Sequence, residues 1–319
     1  MQLLTTDDPD CLARSIDGWS QHYEQLHSGR FAGKLTQLSV ATARLFVEQT
    51  NLALRQICTV PQNYVWFGLP LGEQSDRYVR INGAPVSDDR IAVRRGGEAF
   101  ELLTPDRLQF WGIVVQEQAL LEYARQVECE AWLARALDNP LLLVSEERKR
   151  NAQQSCRHML DNWQAERQEL SPAATLNLTE AALGALFSLF QHAQPQVGER
   201  VSVQHRHRLV ERADAYVRAH GDRLVTVSEL CTALSVSRRA LQGGFQELLG
   251  VSPHAYIRAI SLNNVRHQLN SEDSPYRNVQ DAAAAFGFWH MSQFAVDYRQ
   301  LFGELPSETL KRRGSGAVD

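Results

Sequence analysis

One segment near the carboxyl end of the chain is repeated, and this repeat constrains the fold more than any other feature. Residues 229–253 match residues 281–306 in pattern. Six pairs align at an offset of 53: Leu241 with Phe294, Phe245 with Tyr298, Leu248 with Leu301, Leu249 with Phe302, Gly250 with Gly303 and Pro253 with Pro306. Each copy has the pattern of a short helix, a tight turn and a longer helix. Two matched copies favour paired helix-turn-helix motifs over a plain helical bundle.

The repeat also predicts where the helices begin and end. Thr226 and Glu229 have the capping-box spacing, and Ser252-Pro253 provides a cap with proline at the first helical position. A joining helix of about 17 residues would span about 26 Å, so the second helix of each copy could reach successive major grooves about 34 Å apart. The predicted helices of the two copies are Val227–Leu234, Arg238–Leu249, Val279–Phe286 and His290–Phe302.

These residues resemble a known family. Segment 206–313 is similar to the double helix-turn-helix domain of the AraC/XylS transcriptional regulators. The carriers are Ser237-Arg238-Arg239-x-Leu241, Phe245-x-x-Leu248-Leu249-Gly250-x-Ser252-Pro253, Asp281-Ala282-Ala283, Phe286-Gly287-Phe288 and Gln293-Phe294 with Tyr298-Arg299, Phe302-Gly303 and Pro306-Ser307. The resemblance implies a double-stranded DNA promoter as ligand and RNA polymerase as a partner.

The family pattern points to specific DNA contacts in the second helix of each copy. The predicted residues are Arg238, Arg239, Gln242, His290, Met291, Ser292 and Gln293. Arginine can pair with guanine and glutamine with adenine in the major groove, whereas a solvated helix face is the competing interpretation for each residue. Gly243 and Val296 depart from the family pattern because neither offers a hydrogen-bonding side chain. This departure predicts looser sequence specificity.

A narrower resemblance, to the ethanolamine-operon regulator branch, covers nearly the whole chain. It rests on Trp289-His290, Leu52-Ala53-Leu54-Arg55-Gln56, Trp66-Phe67-Gly68-Leu69-Pro70 and Phe100-Glu101-Leu102-x-Thr104-Pro105-Asp106. It implies ethanolamine with adenosylcobalamin as effectors. The residues give no independent indication of a cofactor, since the Asp-x-His-x-x-Gly cobalt-ligand motif is absent from the sequence.

The first third of the chain consists of short apolar runs between turn residues, which predicts antiparallel strands. Such strands favour a small β-barrel or sandwich, cupin-like, followed by helices over 117–137, 145–168 and 175–192. The predicted class is therefore α+β, with an all-α double helix-turn-helix at the carboxyl end. The predicted strands are Leu35–Val40, Ala53–Val60, Tyr64–Leu69, Ile91–Arg94, Ala99–Leu103 and Leu108–Val115.

A small barrel can hold one ligand in its mouth. The candidate effector pocket comprises Arg55, Trp66, Phe67 and Trp111, with Phe110 beside them, whereas the competing interpretation treats the aromatics as core. The helices that follow the strands are candidates for dimerisation, which predicts a homodimer.

Linker composition around Pro195 and Gly198 divides the chain into a sensor and dimerisation domain, 1–195, a linker, 196–205, and a DNA-binding domain, 206–313. Residues 1–204 contain 19 Lys and Arg against 25 Asp and Glu, a net charge of −6, and residues 205–319 contain 14 against 12, a net +2. A net charge of +2 is too small to establish nucleic-acid binding by itself.

The sequence argues against catalytic, metal-binding and membrane functions. It contains no His-Glu-x-x-His, phosphate-binding or nucleophile-elbow motif, and the lone pair His205 and His207 favours a solvated helix start over zinc. Five widely spaced cysteines predict reduced thiols. No apolar run approaches the roughly 20 residues of a membrane span, and the acidic start lacks a signal peptide's basic region, so a cytoplasmic location is expected.

The predicted function is a transcriptional regulator, an activator of an operon, that responds to a small-molecule effector and is not an enzyme. Two alternatives remain open. The first is a DNA-modifying or repair enzyme, although Cys156-Arg157-His158 lacks the Pro-Cys-His-Arg order of an alkyl-transferase. The second is a ligand-blind regulator controlled by a protein partner.

Overall fold

The structure is a computed structural model, which describes residues 2–16, 18–40, 42–70, 79–87, 89–127, 129–166, 172–190, 193–195 and 201–313. The chain forms two compact units. The β unit comprises Met1–His22, Ala32–Asn51 and Gln56–Glu199, and the helical unit comprises Tyr23–Phe31, Leu52–Arg55 and Arg200–Asp319. The helical unit thus includes two short segments from the first fifth of the sequence, which composition did not foretell.

The strands form two antiparallel sheets. The eight-stranded sheet has the order β1-β3-β4-β11-β6-β9-β12-β13, and the five-stranded sheet has the order β2-β5-β10-β7-β8. The arrangement is sandwich-like, not a closed barrel, and each of the six predicted strands is present. The strands are β1 Gln2–Thr6, β2 Ser20–Gln25, β3 Gly33–Val40, β4 Ala43–Thr50, β5 Leu54–Thr59, β6 Tyr64–Pro70, β7 Val79–Ile81, β8 Ala84–Val86, β9 Arg90–Arg95, β10 Ala99–Leu103, β11 Leu108–Gln116, β12 Leu141–Leu143 and β13 Gln194–Pro195.

The central strands of the larger sheet, β6 and β11, are buried on both faces. Successive residues of a strand point to opposite faces, so the neighbours Trp66 and Phe67 cannot share a surface. Phe67 and Trp111 lie in one hydrophobic core with Leu120 and Leu186 from the helices of the β unit. Those helices are α2 Glu117–Gln126, α3 Glu130–Leu137, α4 Glu146–Glu166 and α5 Pro172–Phe190, while α1 Pro9–Arg14 follows the first strand. The helix predicted over 117–137 is therefore two helices.

The helical unit contains both copies of the repeat, and the caps predicted at Thr226 and Ser252 are present, with a further cap at Ser237. Thr226 and Glu229 make the reciprocal capping-box bonds, and Ser237 and Ser252 cap their helices through their hydroxyl groups. Gly250 and Gly303 end the second helix of each copy in the same left-handed conformation, with φ of 70° at both. The helices are α6 Val201–Ala219, α7 Val227–Leu234, α8 Arg238–Leu249, α9 Pro253–Asn270, α10 Val279–Ala285, α11 Met291–Phe302 and α12 Pro306–Arg313.

The domain boundary drawn from composition stays a prediction. Residues 196–200 of the predicted linker lie outside the described residues, and residues 201–205 are the first turn of α6. Among the described helices, none is both long and apolar enough to cross a membrane.

Candidate nucleic-acid interface

The second helix of each copy, α8 and α11, presents an equivalent exposed face. Leu241 and Phe245 of α8, and Phe294 and Tyr298 of α11, are at most 1% exposed and anchor each second helix in the core. Because these residues occupy matched positions, each helix turns the equivalent opposite face to solvent. The four-helix arrangement therefore presents two similar helix faces, one from each copy.

The first face belongs to α8. All three residues predicted there, Arg238, Arg239 and Gln242, are exposed, and so is Gly243 between them and the end of the helix. A Cβ added to Gly243 would meet nothing within 4 Å, whereas a Cβ on Gly244 would contact Val210 at 3.6 Å in α6. The first glycine therefore leaves a gap in the exposed face, and the second faces α6 at ordinary van der Waals distance.

The second face belongs to α11. His290, Ser292 and Gln293 are exposed, whereas Met291 is half-buried. His290 occupies the N-cap position without making a side-chain cap bond. Sequence reasoning missed Trp289, which is 76% exposed immediately before this helix. A large aromatic residue beside a predicted recognition helix was the available signal.

The side chain of Gln293 on this face is held by a hydrogen bond. Its amide nitrogen donates to Oδ1 of Asp297 at 2.8 Å, one helical turn further on. Arg258 of α9 forms an ion pair with the other carboxylate oxygen of Asp297, and its guanidinium carbon lies 5.8 Å from the ring centre of Phe288. The glutamine is thus the outer member of a three-residue network.

An ionic ring joins four residues of the helical unit: Glu24, Arg55 and Asp214, which are buried, and Arg218, whose side chain is 34% exposed. Arg55 donates to Glu24 at 2.9 Å and to Asp214 at 2.8 Å, and Arg218 donates to Asp214 at 2.9 Å and to Glu24 at 2.6 Å. Two carboxylates and two guanidinium groups balance in charge, which makes the burial of Glu24, Arg55 and Asp214 tolerable. Tyr256 adds a 2.6 Å bond from its hydroxyl to Asp214.

The pKa values of Arg218, a member of the ionic ring, and of Tyr256, which bonds to it, are both raised. Burial opposes the charge on Arg218, yet the carboxylates of Glu24 and Asp214 outweigh this effect and raise the pKa of the guanidinium. Burial raises the pKa of the Tyr256 hydroxyl well above its ordinary value, so it stays a hydrogen-bond donor. Arg55 was a candidate pocket residue, and the structure places it in this ring instead.

Hydrogen bonds also join the segment Tyr23–Phe31 to helices α9 and α11. The backbone nitrogen of Gln25 donates to Asn263 of α9 at 3.0 Å, and the Asn263 amide donates back to the Gln25 carbonyl at 2.8 Å. The backbone nitrogen of Gly29 donates to the carbonyl oxygen of Leu301 in α11 at 3.0 Å. Both α9 and α11 are therefore hydrogen-bonded to this segment.

A small cavity lies within the β unit, between aromatic walls. Trp66 stacks on Phe100 and Phe110 with ring centres 5.1 and 5.8 Å away, and Trp19 meets its edge at 5.9 Å. The cavity volume is about 10 Å³, which is room for about one water molecule. Of the predicted pocket residues only Trp66 lines it, with Phe110, because Phe67 and Trp111 point to the other face.

Polar groups converge on this cavity. Gln56 donates to Glu48 at 3.0 Å, and both side chains are at most 3% exposed. Within the described part of the chain, the indole nitrogens of Trp19 and Trp66 are buried without a hydrogen-bond partner. Both tryptophans, Gln56 and Glu48 therefore line the cavity, whose wall is otherwise mostly apolar.

The histidine pair at the start of α6 differs from expectation. His207 is buried, at 8% exposure, and its Nε2 lies 3.3 Å from a carboxylate oxygen of Glu211. The prediction of a solvated helix start is therefore wrong for this residue. The helical periodicity of α6 places His207 on the buried side, with Val210 and Val217.

Comparison with known proteins places the repeat. A family described as "Helix-turn-helix domain" matches residues 230–312. The probable thc operon regulatory protein of Rhodococcus erythropolis is 36% identical over 103 residues, which is 32% of this chain and 31% of that protein. The match thus spans about a third of the length of that relative.

Two further proteins are matched over more of their length. A probable AraC family transcriptional regulator from Rhodopseudomonas palustris CGA009, a solved structure, is 34% identical; the match covers 33% of this chain and 97% of that one, with a TM-score of 0.31. The XylDLEGF operon transcriptional activator 2 of Pseudomonas putida is 32% identical over 109 residues, which is 34% of this chain and 69% of that protein. The helix-turn-helix match and the similarity to this Pseudomonas putida activator show that the chain belongs to the AraC/XylS family of transcriptional regulators.

Proposed function

We propose that the protein is a sequence-specific activator of an operon, and that α8 and α11 read two major-groove segments of its promoter. The observation that carries this proposal is the pair of exposed helix faces, each ended by glycine in the same conformation. A joining helix of 18 residues separates the two copies, so its length is about 27 Å at 1.5 Å per residue. That length is compatible with major grooves about 34 Å apart once the side offsets of the two helices are added.

The test is binding of the full chain to DNA upstream of its neighbouring genes, in competition with random DNA at near-physiological salt. A preference of about a thousandfold or more is expected of a specific regulator. Arg239→Ala should reduce this preference, whereas Lys311→Ala should weaken binding to both DNAs alike. No preference for any upstream segment, with or without candidate effectors, would overturn the proposal.

The finer proposal is that a small molecule controls this binding from the cavity beside Trp66. A buried carboxylate within aromatic walls suits an organic cation, and the unsatisfied indole donors suit an oxygen acceptor on the same ligand. Ethanolamine, the effector implied by the resemblance to the ethanolamine-operon branch, has both groups. The cavity would have to open to admit it, because its volume is about 10 Å³.

Adenosylcobalamin fits less well. A cavity with room for about one water molecule cannot take a corrinoid, so no step of the proposed mechanism uses one. The second effector implied by the resemblance stays a prediction to be tested alongside ethanolamine.

Two strands connect the proposed effector cavity with the ionic ring. In β5, Arg55 belongs to the ring, and the next residue, Gln56, lines the cavity. In β2, Gln21 lines the cavity and Glu24 belongs to the ring. A ligand that bonds to Glu48 would disturb its bond from Gln56, and the adjoining residue would transmit the change to Arg55. Differential affinity for the two arrangements would set the size of the response.

Thermal unfolding with and without ligand tests the effector. Millimolar ethanolamine should raise the melting temperature of the wild type, and Glu48→Gln should abolish the rise. Adenosylcobalamin alone and together with ethanolamine form the other arms. No shift in any arm, despite specific DNA binding, would favour a ligand-blind regulator controlled by a protein partner.

A repair or modifying enzyme is the less favoured alternative. A reactive cysteine requires a thiolate, but burial raises the pKa of Cys156 to about 12. Burial, with the nearby charge of Glu48, also raises the pKa of Cys58.

Homodimerisation and contact with RNA polymerase complete the proposal. Sedimentation tests for the homodimer, and in vitro transcription tests for the contact with RNA polymerase.

A further inference from the structure

The network at the start of α11 restricts how one side chain can meet a base. An ionised carboxylate only accepts hydrogen bonds, so the amide nitrogen of Gln293 must face Asp297, 2.8 Å away. The carbonyl oxygen of Gln293 therefore points away from Asp297. A free glutamine could rotate its amide by half a turn and present either group, and this freedom is removed here.

Asp297 is itself held in place. Arg258, which only donates, pairs with its second oxygen, and the two side chains are 29% and 17% exposed. The guanidinium also packs over the ring of Phe288, which fixes it against the core of the second copy. The carboxylate thus accepts a hydrogen bond from Gln293 at one oxygen and forms an ion pair with Arg258 at the other.

We propose that Asp297 is a positioning residue for base recognition, which holds Gln293 so that its carbonyl oxygen faces the major groove. This inference rests on the proposed binding of α11 to DNA. The exocyclic amino groups of adenine and cytosine are the donors of the major groove, whereas guanine and thymine present oxygen acceptors there. Gln293 accordingly selects adenine or cytosine at the base it meets.

The first copy has no equivalent device. At the offset of 53, the positions of Gln293 and Asp297 correspond to Ala240 and Gly244. Ala240 has no polar group, and Gly244 faces α6. The oriented glutamine therefore distinguishes the half-site read by α11 from the half-site read by α8.

The test is a competition assay between all four bases at each position of the bound promoter site, with the full-length protein. The wild type should prefer adenine or cytosine over guanine or thymine by about tenfold at one position. Asp297→Ala should reduce the ratio at that position to near one and leave the other positions unchanged. Gln293→Ala should do the same, and the double variant should lose no more than either single variant.

Asp297→Asn gives the sharper test. Arg258 would take the carbonyl oxygen of the new amide, so its NH2 group would face Gln293. Gln293 would then turn its own carbonyl inward and its nitrogen outward, and the preference should move toward guanine or thymine. A merely structural role for Asp297 would not produce this reversal.

The outcomes separate the inference from the proposed function. A wild type without base preference at any position would overturn the proposed sequence-specific binding. A wild type with clear preferences that Asp297→Ala and Asp297→Asn both leave unchanged would overturn the positioning role alone. Melting temperatures of all variants within a few degrees of the wild type would show that each is folded.

Discussion

At the residue scale, the two glycines in the middle of α8 are the clearest departure from a good helix-forming sequence. Sequence reasoning located Gly243 and Gly244 within the helix, but it could not tell that one faces solvent and the other faces α6. The difference depends on which side of α8 is buried, and that is fixed by packing with a helix some 35 residues earlier. The positions therefore tolerate substitution for different reasons.

Gly243→Ala should stabilise the protein by about 1 kcal/mol, because alanine restricts the unfolded chain and has a higher helix propensity. The added Cβ would meet nothing within 4 Å. Urea unfolding of the full chain measures the change. Gly244→Ala is the matched control and should behave similarly, since its nearest contact would be an ordinary 3.6 Å. A loss of stability in Gly243→Ala would show that this face is covered.

Glu229 predicts a pH dependence of stability. Hydrogen bonds from Arg223, opposed in part by desolvation and assisted by Tyr216, lower the pKa of Glu229 to about 2. A carboxylate with a lowered pKa stabilises the folded state above its unfolded pKa of about 4.3, and the contribution disappears as the pH falls toward 2. The difference in unfolding free energy between the wild type and Glu229→Gln should therefore shrink between pH 5 and pH 3. A difference that is constant with pH would contradict the assignment.

At the scale of elements, patterns within one segment were predicted better than partners between segments. The bounds of α7 and α8 agree with the sequence prediction, because caps and apolar spacing are local signals. Strand β4 was missed, since its run Ala43–Thr50 carries both an arginine and a glutamate. The pocket prediction placed Trp66 and Phe67 together, although the alternation of a strand sends them to opposite faces.

A pair of glycines allows the aromatic cavity to form in the larger sheet. Gly112 of β11 pairs with Gly68 of β6, and a Cβ on Gly112 would lie 2.0 Å from the ring of Phe46. Gly112→Ala should therefore destabilise the protein by about 1–3 kcal/mol, as overpacking does in other cores. Circular dichroism on heating would measure the loss. Phe46→Leu should recover part of it in the double variant, and an unchanged melting temperature in Gly112→Ala would show that the ring does not lie over this strand.

At the scale of the whole molecule, the two units are not two consecutive stretches of sequence. The ionic ring joins residues that are 31, 159 and 194 positions apart in the sequence. It could therefore not be predicted from a local sequence pattern. The net charge of the carboxyl-terminal third also includes groups that are buried, such as Asp214 and Arg266. The helical unit, which contains the predicted DNA-binding domain, also includes segments 23–31 and 52–55.

Arg55 tests this dependence. Arg55→Met would leave Glu24 and Asp214 buried with Arg218 as their cation within the ring, and breaking a buried pair in this way typically costs about 3–5 kcal/mol. The loss should appear in the unfolding of the helical unit, although the substitution lies in the first fifth of the sequence. Arg55→Lys keeps the charge but not the two-pronged geometry, so it should lose less stability than Arg55→Met.

A fragment of residues 200–319 should be destabilised as much as Arg55→Met or more, because it also lacks the bonds from Gln25 and Gly29. If the fragment and the full chain instead unfold with equal stability in this unit, the two amino-terminal segments are dispensable and strands β2 and β5 cannot carry a signal to the DNA-binding helices.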